Sequence, residues 1–582
     1  MNLWNERRDF LFLLLIFVIV ALAYSASVTG EAFYIDDRSL LDRLSRVTEL
    51  DFRFIRGGEG LYYRPVMRLS YQIDALLGFG VMAMHAENVI LHAFNALLLV
   101  LLLRQLLVAP CNRFLPWMSG LLWGLHPITT ESVCWISGRS DVLAATFVLL
   151  SLLGLLYFSR HGRYGGLVVF LLCFPLAVLT KEVMLPAVLL AVLLLGRSPR
   201  AVDQRFSLLR GRGLFYWLAA VTVAGIVFLR LIAFNSTAGG IGATTRQLFD
   251  DPVGSLLVCL RALGFYFAKL IQPFPLNFAI MEVDPRYALL GAPLAAVGVF
   301  LLLRRRDSLA LLFVGGLALL APAFLIAFGH IAWTPYAERY LYLPGAFMLP
   351  GLLSVLHHRL PFGFRLRRAA VVLLVAGAFA GVFQRSLVWR SNEALIADTA
   401  RKAPCNKRIN YLQAGILLQK KQYGQARAAL ERARLAQGGA KYDPDLDILA
   451  AKLLYEEKKD LAGALDILRA GAQASDFSSK KNLTYLIEGL QRYIRRCAPL
   501  ASKPALYDEL AELHHRRFRI DGHWESLYQL ALLEQQRSRP QKAAALLRQI
   551  LRASPADSPL AKQAHNGLQA LRQGVSVTPG PD

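Results

Sequence analysis

The chain has 582 residues, of which 55% are hydrophobic and 18% are charged, and its mean hydropathy is +0.40. This balance is too apolar for a soluble protein of that length and indicates a polytopic membrane protein. The net charge of +24 does not indicate a nucleic-acid-binding protein, because the Lys and Arg residues cluster in short loops between apolar runs, where they act as topology signals and attract anionic lipid headgroups.

The first apolar run is followed closely by two adjacent acids. Residues 10–28 carry no charge, and at about 1.5 Å per residue such a run crosses a hydrocarbon core of roughly 30 Å. Arg7 and Arg8 precede it and should stay in the cytoplasm, so Asp36 and Asp37 are predicted to emerge on the other side. These carboxylates could activate an acceptor hydroxyl, hold a metal ion, or simply cap or solvate a helix end. The run could also be a signal peptide, but its length and the further spans favour an uncleaved anchor.

We predict an all-α membrane bundle of about 11 spans. The spans cover residues 10–29, 84–108, 115–133, 141–158, 165–180, 183–196, 214–234, 287–303, 308–329, 339–357 and 369–387. Under this count five basic connections lie in the cytoplasm: 104–113, 160–163, 197–212, 304–306 and 357–368. Residues 253–272 are apolar but are interrupted by Arg261 and Lys269, and we predict a re-entrant or surface-lying helix there. The odd number of spans then puts the C-terminal part on the same side as Asp36 and Asp37.

After Arg390 the long apolar runs stop and a soluble helical domain is predicted. Two stretches share the small-residue pattern of a closely packed helix pair: Ala414, Tyr423, Ala426, Leu430 and Ala433 recur as Ala531, Pro540, Ala543, Leu547 and Ile550. With a degenerate copy at 445–473, the pattern resembles tetratricopeptide repeats, and an ordinary helical bundle is the alternative. We therefore divide the chain into a membrane module (1–390), a repeat domain forming an α-solenoid (391–573) and a disordered tail (574–582).

The polar residues of the membrane half cluster, in this topology, at its outer boundary. His85, Asn88, His92 and Asn95 are three or four residues apart and share one helix face, which cannot point at lipid. The other groups are Tyr63-Arg64-Pro65, His126-Pro127 with Glu131, Arg139 with Asp141, Lys181-Glu182 and Glu338-Arg339. Charged residues at membrane depth are rare and usually functional. Each pair alone could equally be a structural ion pair, but their convergence on one level indicates a site.

The cysteines do not indicate a metal site. All six, Cys111, Cys134, Cys173, Cys259, Cys405 and Cys497, lack CxxC or metal-ligand spacing. We predict neither a zinc site nor an obligatory disulfide.

Seven motifs in one order resemble a known family, the transmembrane and tetratricopeptide-repeat containing proteins. These are relatives of the protein O-mannosyltransferases in the GT-C glycosyltransferase superfamily. The motifs are Asp36-Asp37, Tyr63-Arg64-Pro65, His85 to His92 with Asn95, His126-Pro127 with Glu131, Trp135 to Arg139 with Asp141, Lys181-Glu182, and Glu338-Arg339-Tyr340-Leu341-Tyr342 with Pro344. The resemblance covers essentially the whole chain. Its few repeats and short loops rich in Arg, Leu and Ala look bacterial.

The resemblance implies transfer of one sugar from a polyprenyl-phosphate carrier to an acceptor hydroxyl, usually with inversion, on the non-cytoplasmic face. Asp36, or else Asp37, would accept the proton of the attacking hydroxyl. Arg64, Arg139, Lys181 and Arg339 are candidates for binding the departing phosphate. His85, His92, His126, Glu131, Asp141, Glu182 and Glu338 are candidates for orienting sugar or acceptor, and the histidines could equally be buried and hydrogen-bonded.

No cofactor is required by this chemistry. A divalent cation is possible, because two Asp plus His could ligate one. No GxGxxG or P-loop opens a helix, which argues against a nucleotide-sugar donor.

Two other function classes compete with a glycosyltransferase. A non-catalytic scaffold would present the repeats to a peptide or partner protein and would not need the acidic pair. A transporter would place its polar residues at mid-bilayer in broken helices. For a bacterial chain we predict the inner (plasma) membrane with the repeat domain outside, and for a eukaryotic chain the ER membrane.

Overall fold

The computed structural model describes a helical protein. The described residues are 6–52, 63–107, 114–195, 248–304, 307–329, 334–359, 364–436, 443–497, 503–522, 524–555 and 558–573, with a few more between 213 and 227. Within these ranges the backbone forms helices, and the β-structure is one antiparallel bridge between Ile280 and Tyr336. This confirms the predicted all-α class. The chain divides into two compact units, Met1–Ala403 and Pro404–Asp582.

The first unit contains seventeen described α-helices, which we number in chain order. They are α1 Glu6–Ala23, α2 Ser25–Val28, α3 Asp37–Leu44, α4 Pro65–Leu76, α5 Val81–Leu106, α6 Leu115–Gly124, α7 Thr130–Cys134, α8 Arg139–His161, α9 Tyr164–Thr180, α10 Ala187–Leu195, α11 Pro252–Ile271, α12 Tyr287–Arg304, α13 Ser308–Leu319, α14 Ala321–Gly329, α15 Tyr342–Arg359, α16 Phe364–Trp389 and α17 Asn392–Lys402.

Seven helical segments in the described part are long and apolar enough to cross a membrane, which indicates a membrane protein. They are Val81–Leu106, Ile136–His161, Pro252–Ile271, Tyr287–Arg304, Ser308–Phe328, Glu338–Leu356 and Arg368–Trp389. Six of them overlap predicted spans. The other is the segment for which a re-entrant or surface-lying helix is predicted, and its length of 20 residues is also sufficient for a span. The total of about 11 spans stays a prediction.

The remaining predicted spans form shorter or broken helices. The first is divided at Tyr24, between α1 and α2. The run 115–133 is divided at His126 and Pro127, because a proline ring clashes with the preceding turn and cannot continue a helix. The runs 165–180 and 183–196 correspond to shorter apolar helices, Tyr164–Thr180 and Glu182–Leu194. The run 214–234 lies largely outside the described residues, as do parts of the basic connections and the tail 574–582.

Helices α11 and α12 pack with their backbones in direct contact at two glycines. A Cβ atom on Gly264 would clash with the carbonyl oxygen of Tyr287, and one on Gly291 would clash with that of Leu260. Only glycine permits this approach. The contact fixes the position of α11, which carries Lys269 to the polar site described below.

Substitution of Gly264 by Ala is expected to destabilise the first unit. The added methyl group would separate α11 from α12, and overpacking of this kind costs about 1–3 kcal/mol. The measurement is the thermal midpoint of the purified protein in detergent. Gly377→Ala is the matched control, because nothing lies within 4 Å of a Cβ at that position of α16. Equal midpoints for both variants would contradict the packing argument.

Three residues of helix α17 make hydrogen bonds or ion pairs with other parts of the first unit. Asn392 donates to the carboxylate of Glu31 through its backbone N–H at 3.0 Å and its side-chain amide at 2.9 Å. Asp398 accepts from Arg385 at 2.5 Å, and Lys402 donates to the carbonyl of Leu276 at 2.8 Å. The structure thus assigns this helix, which follows the predicted boundary at 390, to the first compact unit.

The second unit is a run of consecutive helices. They are α18 Lys407–Gln419, α19 Tyr423–Ala436, α20 Pro444–Lys458, α21 Leu461–Ala474, α22 Lys480–Arg496, α23 Lys503–Asp521, α24 Trp524–Gln536, α25 Pro540–Ala553 and α26 Pro559–Arg572. Side chains cap several of them; Asp443, for example, accepts the N–H groups of Asp445 and Leu446.

The small residues of the predicted repeats are buried between neighbouring helices. Ala414 and Ala426 lie in one apolar cluster with Leu449, and Ala531 lies in another with Leu547. Close approach of paired helices explains why these positions are small. The assignment of the helices to tetratricopeptide repeats stays a prediction.

Candidate functional site

The polar residues singled out in the sequence lie where helices of the first unit begin, end or break. Within the described residues, four short 3-10 turns join helices there: Pro127–Thr129, Ile136–Gly138, Glu182–Met184 and Glu338–Leu341. Such breaks leave backbone N–H and C=O groups without helical partners, so polar side chains collect around them. Residues 29–37, here called the acidic loop, join α2 to the start of α3.

Asp37 is fully buried and is held by three hydrogen bonds. Its Oδ2 accepts the backbone N–H of Phe33 at 3.0 Å. Its Oδ1 accepts the backbone N–H of Ser137 at 3.0 Å and the hydroxyl of Ser137 at 2.5 Å. Burial raises the pKa of Asp37 to about 6, although the three hydrogen bonds favour its charged form. The residue therefore ties the acidic loop to the turn Ile136–Gly138.

Asp36 has a different environment from its neighbour. It is exposed and stands at the residue before α3, but its side chain makes no hydrogen bond to the first turn of that helix. Of the two carboxylates, that of Asp36 is exposed to solvent and that of Asp37 is not. The sequence predicts Asp36 and Asp37 as a pair with one shared role, whereas in the structure Asp36 is exposed and Asp37 is buried.

The buried carboxyl of Asp37 is expected to make stability depend on pH. Its folded-state pKa lies above the ordinary 3.8, so the folded protein binds the proton more tightly than the unfolded chain. Stability should therefore fall as pH rises from about 4 to about 6, by at most about 3 kcal/mol. Thermal midpoints in detergent measure this. Asp37→Asn should lack the fall and Asp36→Asn should keep it, whereas identical profiles for wild type and Asp37→Asn would contradict the assignment.

Arg139 begins α8 and is buried among acidic and aromatic groups. Its guanidinium is paired with Asp74 and with the Oε2 of Glu87 at 2.5 Å, and its Nε lies 3.4 Å from the Oδ1 of Asn88. The guanidinium carbon is 4.6 Å from the ring centre of Tyr71. These contacts favour a structural role that joins α4, α5 and α8. Phosphate binding by Arg139 stays a prediction.

Two ion pairs lie side by side just after α9. The Nζ of Lys181 is 2.5 Å from the Oδ1 of Asp141, and both side chains are buried. Arg64 donates two parallel hydrogen bonds to Glu182, at 3.0 and 2.9 Å. Because Lys181 and Glu182 are consecutive, the fold brings the ends of α4, α8 and α9 to one place.

A third pair joins the turn at Glu338–Leu341 to α7. Arg339 is paired with Glu131 through its guanidinium, and its backbone N–H donates to the same carboxylate at 3.1 Å. The guanidinium carbon lies 5.5 Å from the ring centre of Trp135. Lys181 is close enough to Arg64 and Arg339 for the three cations to interact electrostatically. Three of the four predicted phosphate-binding residues are therefore brought together.

Glu338 is bound by a residue to which the sequence assigned no site role. Its Oε1 accepts from the Nζ of Lys269 at 3.0 Å and from the backbone N–H of Asn277 at 2.9 Å. Lys269 also donates to the carbonyl of Pro273 at 3.1 Å. The signal in the sequence is the charge itself, since Lys269 interrupts an otherwise apolar run and therefore needs a partner.

The three histidines have different surroundings. His92 is buried, with its Nδ1 2.8 Å from the hydroxyl of Tyr342 and its Nε2 3.0 Å from the carbonyl of Gly124. The Nε2 of His126 lies 3.0 Å from the carbonyl of Leu270, and its Nδ1 accepts the N–H of Ile128. Both rings are thus fully hydrogen-bonded within the fold. His85 is also buried, and the backbone groups of Glu31 and Cys134 lie within reach of its ring.

A small apolar groove lies beside Arg339 and beside Asp141, the partner of Lys181. Its lining residues are Asp141, Val183, Met184, Leu319, Pro322, Ala323, Ile326, Arg339, Tyr340, Leu343 and Pro344. Apolar side chains form most of its length, and Arg339 and Asp141 supply its charges. A groove of this kind suits a ligand with a hydrocarbon chain and an anionic group.

Comparison with known proteins identifies relatives of the chain, although no protein-family model matches it. It is 28% identical over 420 residues to protein O-mannosyl-transferase TMTC4 of Mus musculus, covering 60% of this chain and 54% of the relative. It is 36% identical over 105 residues to TMTC1 of Homo sapiens, covering 18% and 12%, and 40% identical over 92 residues to TMTC2 of Mus musculus, covering 16% and 11%. The chain is homologous to these transferases.

The homology is modest in identity and partial in extent. The alignments span about half of the TMTC4 relative and a smaller part of the other two. The resemblance noted from the seven motifs is thereby supported as homology to TMTC proteins.

The described part of the chain holds no group of three or more His, Cys, Asp or Glu side chains placed to bind a metal ion.

Proposed function

We propose that this chain is a membrane glycosyltransferase that moves a sugar from a polyprenyl-phosphate carrier to a hydroxyl group of a protein. Mannose is the first candidate, because the homologues are named protein O-mannosyl-transferases. The proposal includes a GT-C-type membrane module of about 11 spans, followed by tetratricopeptide-like repeats.

The proposal rests on the apolar groove, whose lining includes the charged side chain of Arg339. A polyprenyl phosphate is a hydrocarbon chain ending in an anion, and the groove offers the complementary surfaces. Arg339, Lys181 and Arg64 would stabilise the negative charge that develops on the phosphate as the sugar leaves. Each of the three is already paired with a carboxylate, so the phosphate would bind by sharing these cations with Glu131, Asp141 and Glu182.

Asp36 would act as the general base. The acceptor oxygen attacks the anomeric carbon, its proton passes to the carboxylate of Asp36, and the bond from that carbon to the phosphate oxygen breaks. The polyprenyl phosphate departs with the electron pair, and the sugar is transferred with inversion. Asp37 would hold the acidic loop in place, because its oxygens are engaged with Phe33 and Ser137.

The predicted topology puts this chemistry on the non-cytoplasmic face, with the repeats on the same side. For a bacterial protein that membrane would be the plasma membrane, and for a eukaryotic one the ER membrane. The helices of the second unit would then receive a peptide or protein, which is the acceptor or a partner.

A scaffold function is the second candidate. It is favoured by the second compact unit, Pro404–Asp582, whose described residues form nine consecutive helices. In that case the repeats would capture a partner while no sugar is transferred.

Sugar transfer by the purified full-length protein tests the proposal. The protein in detergent is supplied with radiolabelled polyprenyl phosphates carrying mannose, glucose or other hexoses, together with secreted-protein acceptors. We expect label from one donor to become protein-bound and to be released by alkaline β-elimination, as a sugar on a Ser or Thr hydroxyl would be. A folded protein that consumes none of the donors and still captures a partner through its second unit would support the scaffold instead.

A further inference from the structure

Two charged side chains of opposite sign line the small apolar groove. Arg339 supplies a cation and Asp141 a carboxylate, and the two are close enough to interact electrostatically. Leu319, Ala323 and Pro344 are among the apolar residues of the lining. The two charges therefore determine which polar contacts a ligand in this groove can make.

One carboxylate oxygen of Asp141 has no hydrogen-bond partner among the described residues. Its Oδ1 lies 2.5 Å from the Nζ of Lys181, whereas its Oδ2 is buried and accepts no hydrogen bond from these residues. Asp141 is only 3% exposed, and buried polar atoms in folded proteins nearly always have a partner. An ionised carboxylate can only accept. The Oδ2 of Asp141 therefore indicates that the ligand of this groove carries a hydrogen-bond donor.

The open space in the groove fits one small polar group. About 20 Å³ is open to the centre of a water molecule, and roughly 10–15 Å³ is needed to hold one water. A hydroxyl group is about as large as a water molecule and can donate its proton to a carboxylate. The groove thus has room for a hydroxyl group of a ligand beside Asp141.

The charges of the groove indicate where this hydroxyl lies in the proposed donor. Arg339 attracts phosphate oxygens and the carboxylate of Asp141 repels them, so the group beside Asp141 has to come from the sugar. In a sugar joined to phosphate through its anomeric carbon, the hydroxyl group nearest to the phosphate is the one on C2. A donor whose phosphate is bound at Arg339 would therefore bring its 2-hydroxyl group next to Asp141.

We propose that Asp141 accepts a hydrogen bond from the 2-hydroxyl group of the transferred sugar. This inference rests on the proposed function and adds to it the residue that recognises the sugar. Lys181 holds the carboxylate through Oδ1 and leaves Oδ2 for the substrate. Mannose and glucose differ only in the orientation of the hydroxyl group on C2, so Asp141 is the residue that distinguishes these two donors.

Binding of donor lipids that differ by one hydroxyl group tests this contact. Polyprenyl-phosphate mannose, its 2-deoxy and 6-deoxy analogues, polyprenyl-phosphate glucose and bare polyprenyl phosphate are titrated into the purified full-length protein in detergent. Removal of the 2-hydroxyl group costs a hydrogen bond to a charged acceptor, so we expect the Kd of wild type to rise about 10- to 100-fold. The 6-deoxy analogue should bind as tightly as the mannosyl lipid.

A variant without the acceptor isolates the role of Asp141. Asp141→Leu combined with Lys181→Met replaces the buried ion pair by apolar residues and leaves no unpaired charge. The mannosyl, 2-deoxy and glucosyl lipids should then have equal Kd values. Arg64→Met combined with Glu182→Leu is the matched control, because it removes the neighbouring ion pair and keeps the acceptor. Each double variant lacks one proposed phosphate-binding cation, so the ratio of two Kd values is compared, and thermal midpoints establish folding.

The outcomes separate this inference from the proposed function. A 2-deoxy penalty that is present in wild type and in the control, and absent without Asp141, supports the contact. Equal Kd values of wild type for the mannosyl and 2-deoxy lipids would overturn it, and this comparison needs no variant. A penalty that persists without Asp141 would overturn it as well, and a water molecule would then be the partner of Oδ2. Failure of wild type to bind any of the lipids would overturn the proposed function itself.

Discussion

Replacement of Asp36 by Asn is expected to slow sugar transfer by at least about 100-fold and to leave donor binding unchanged. A positioned general base contributes about 10²–10⁴-fold to rate, and an amide of the same shape cannot take up the proton of the acceptor hydroxyl. Asp36 is exposed and makes no capping hydrogen bond to α3, so the substitution places no polar group in the protein interior. The thermal midpoint should therefore stay at the wild-type value.

The matched control is Asp42→Asn. Asp42 is an exposed acid on the same short helix, so it tests whether any loss of negative charge near the loop slows the reaction. Turnover is measured with saturating donor, and donor affinity is measured separately, because only the chemical step should change. Wild-type turnover in Asp36→Asn would remove this residue as the base and leave the acidic pair with a structural role.

Replacement of Arg139 by Met is expected to lower the free energy of unfolding by about 3–5 kcal/mol. The substitution would leave the carboxylates of Asp74 and Glu87 without their partner, and an uncompensated charge in a buried site is costly. The cation over Tyr71 would be lost as well. Thermal and denaturant stability of the purified protein in detergent should both fall.

An exposed pair provides the control for this prediction. Arg286 is 87% exposed and lies 3.3 Å from Asp284, so Arg286→Met should change stability by no more than about 1 kcal/mol. Adding Asp74→Asn to Arg139→Met should restore part of the loss, since it removes one of the stranded charges. An Arg139→Met protein as stable as wild type would mean that the buried cluster contributes little, and phosphate binding would then become the better account of Arg139.

The sequence predicted the helical class and the approximate limits of most apolar runs, because an uninterrupted apolar run of sufficient length leaves few alternatives in a membrane. It did not predict the break at Tyr24, where no proline or glycine marks the end of α1. Pro127 does mark the second break in the sequence, but the apolar residues on both sides of it favoured one continuous span over residues 115–133.

The site was predicted as a set of residues but not as a set of contacts. His92 binds the hydroxyl of Tyr342, 250 positions further along the chain, and no local pattern specifies such a partner. The different environments of Asp36 and Asp37 also depend on the fold, because Asp37 is buried and hydrogen-bonded to Ser137, which lies 100 positions further along the chain. The stacking of Trp135 on Trp389 was missed for the same reason, because these residues come together only after the bundle has formed.

The contacts of α17 with the acidic loop determine where the chain should be shortened if the first unit is to be studied without the second. A protein shortened to residue 390 would lack Asn392, whose amide also donates to the carbonyl of Ala32 at 2.9 Å and whose Oδ1 accepts the N–H of Tyr34 at 3.0 Å. The acidic loop would lose these anchors along with the repeats, and an inactive product would not reveal which loss mattered. A protein ending at residue 403 keeps the loop anchored, so its activity reports on the repeats alone.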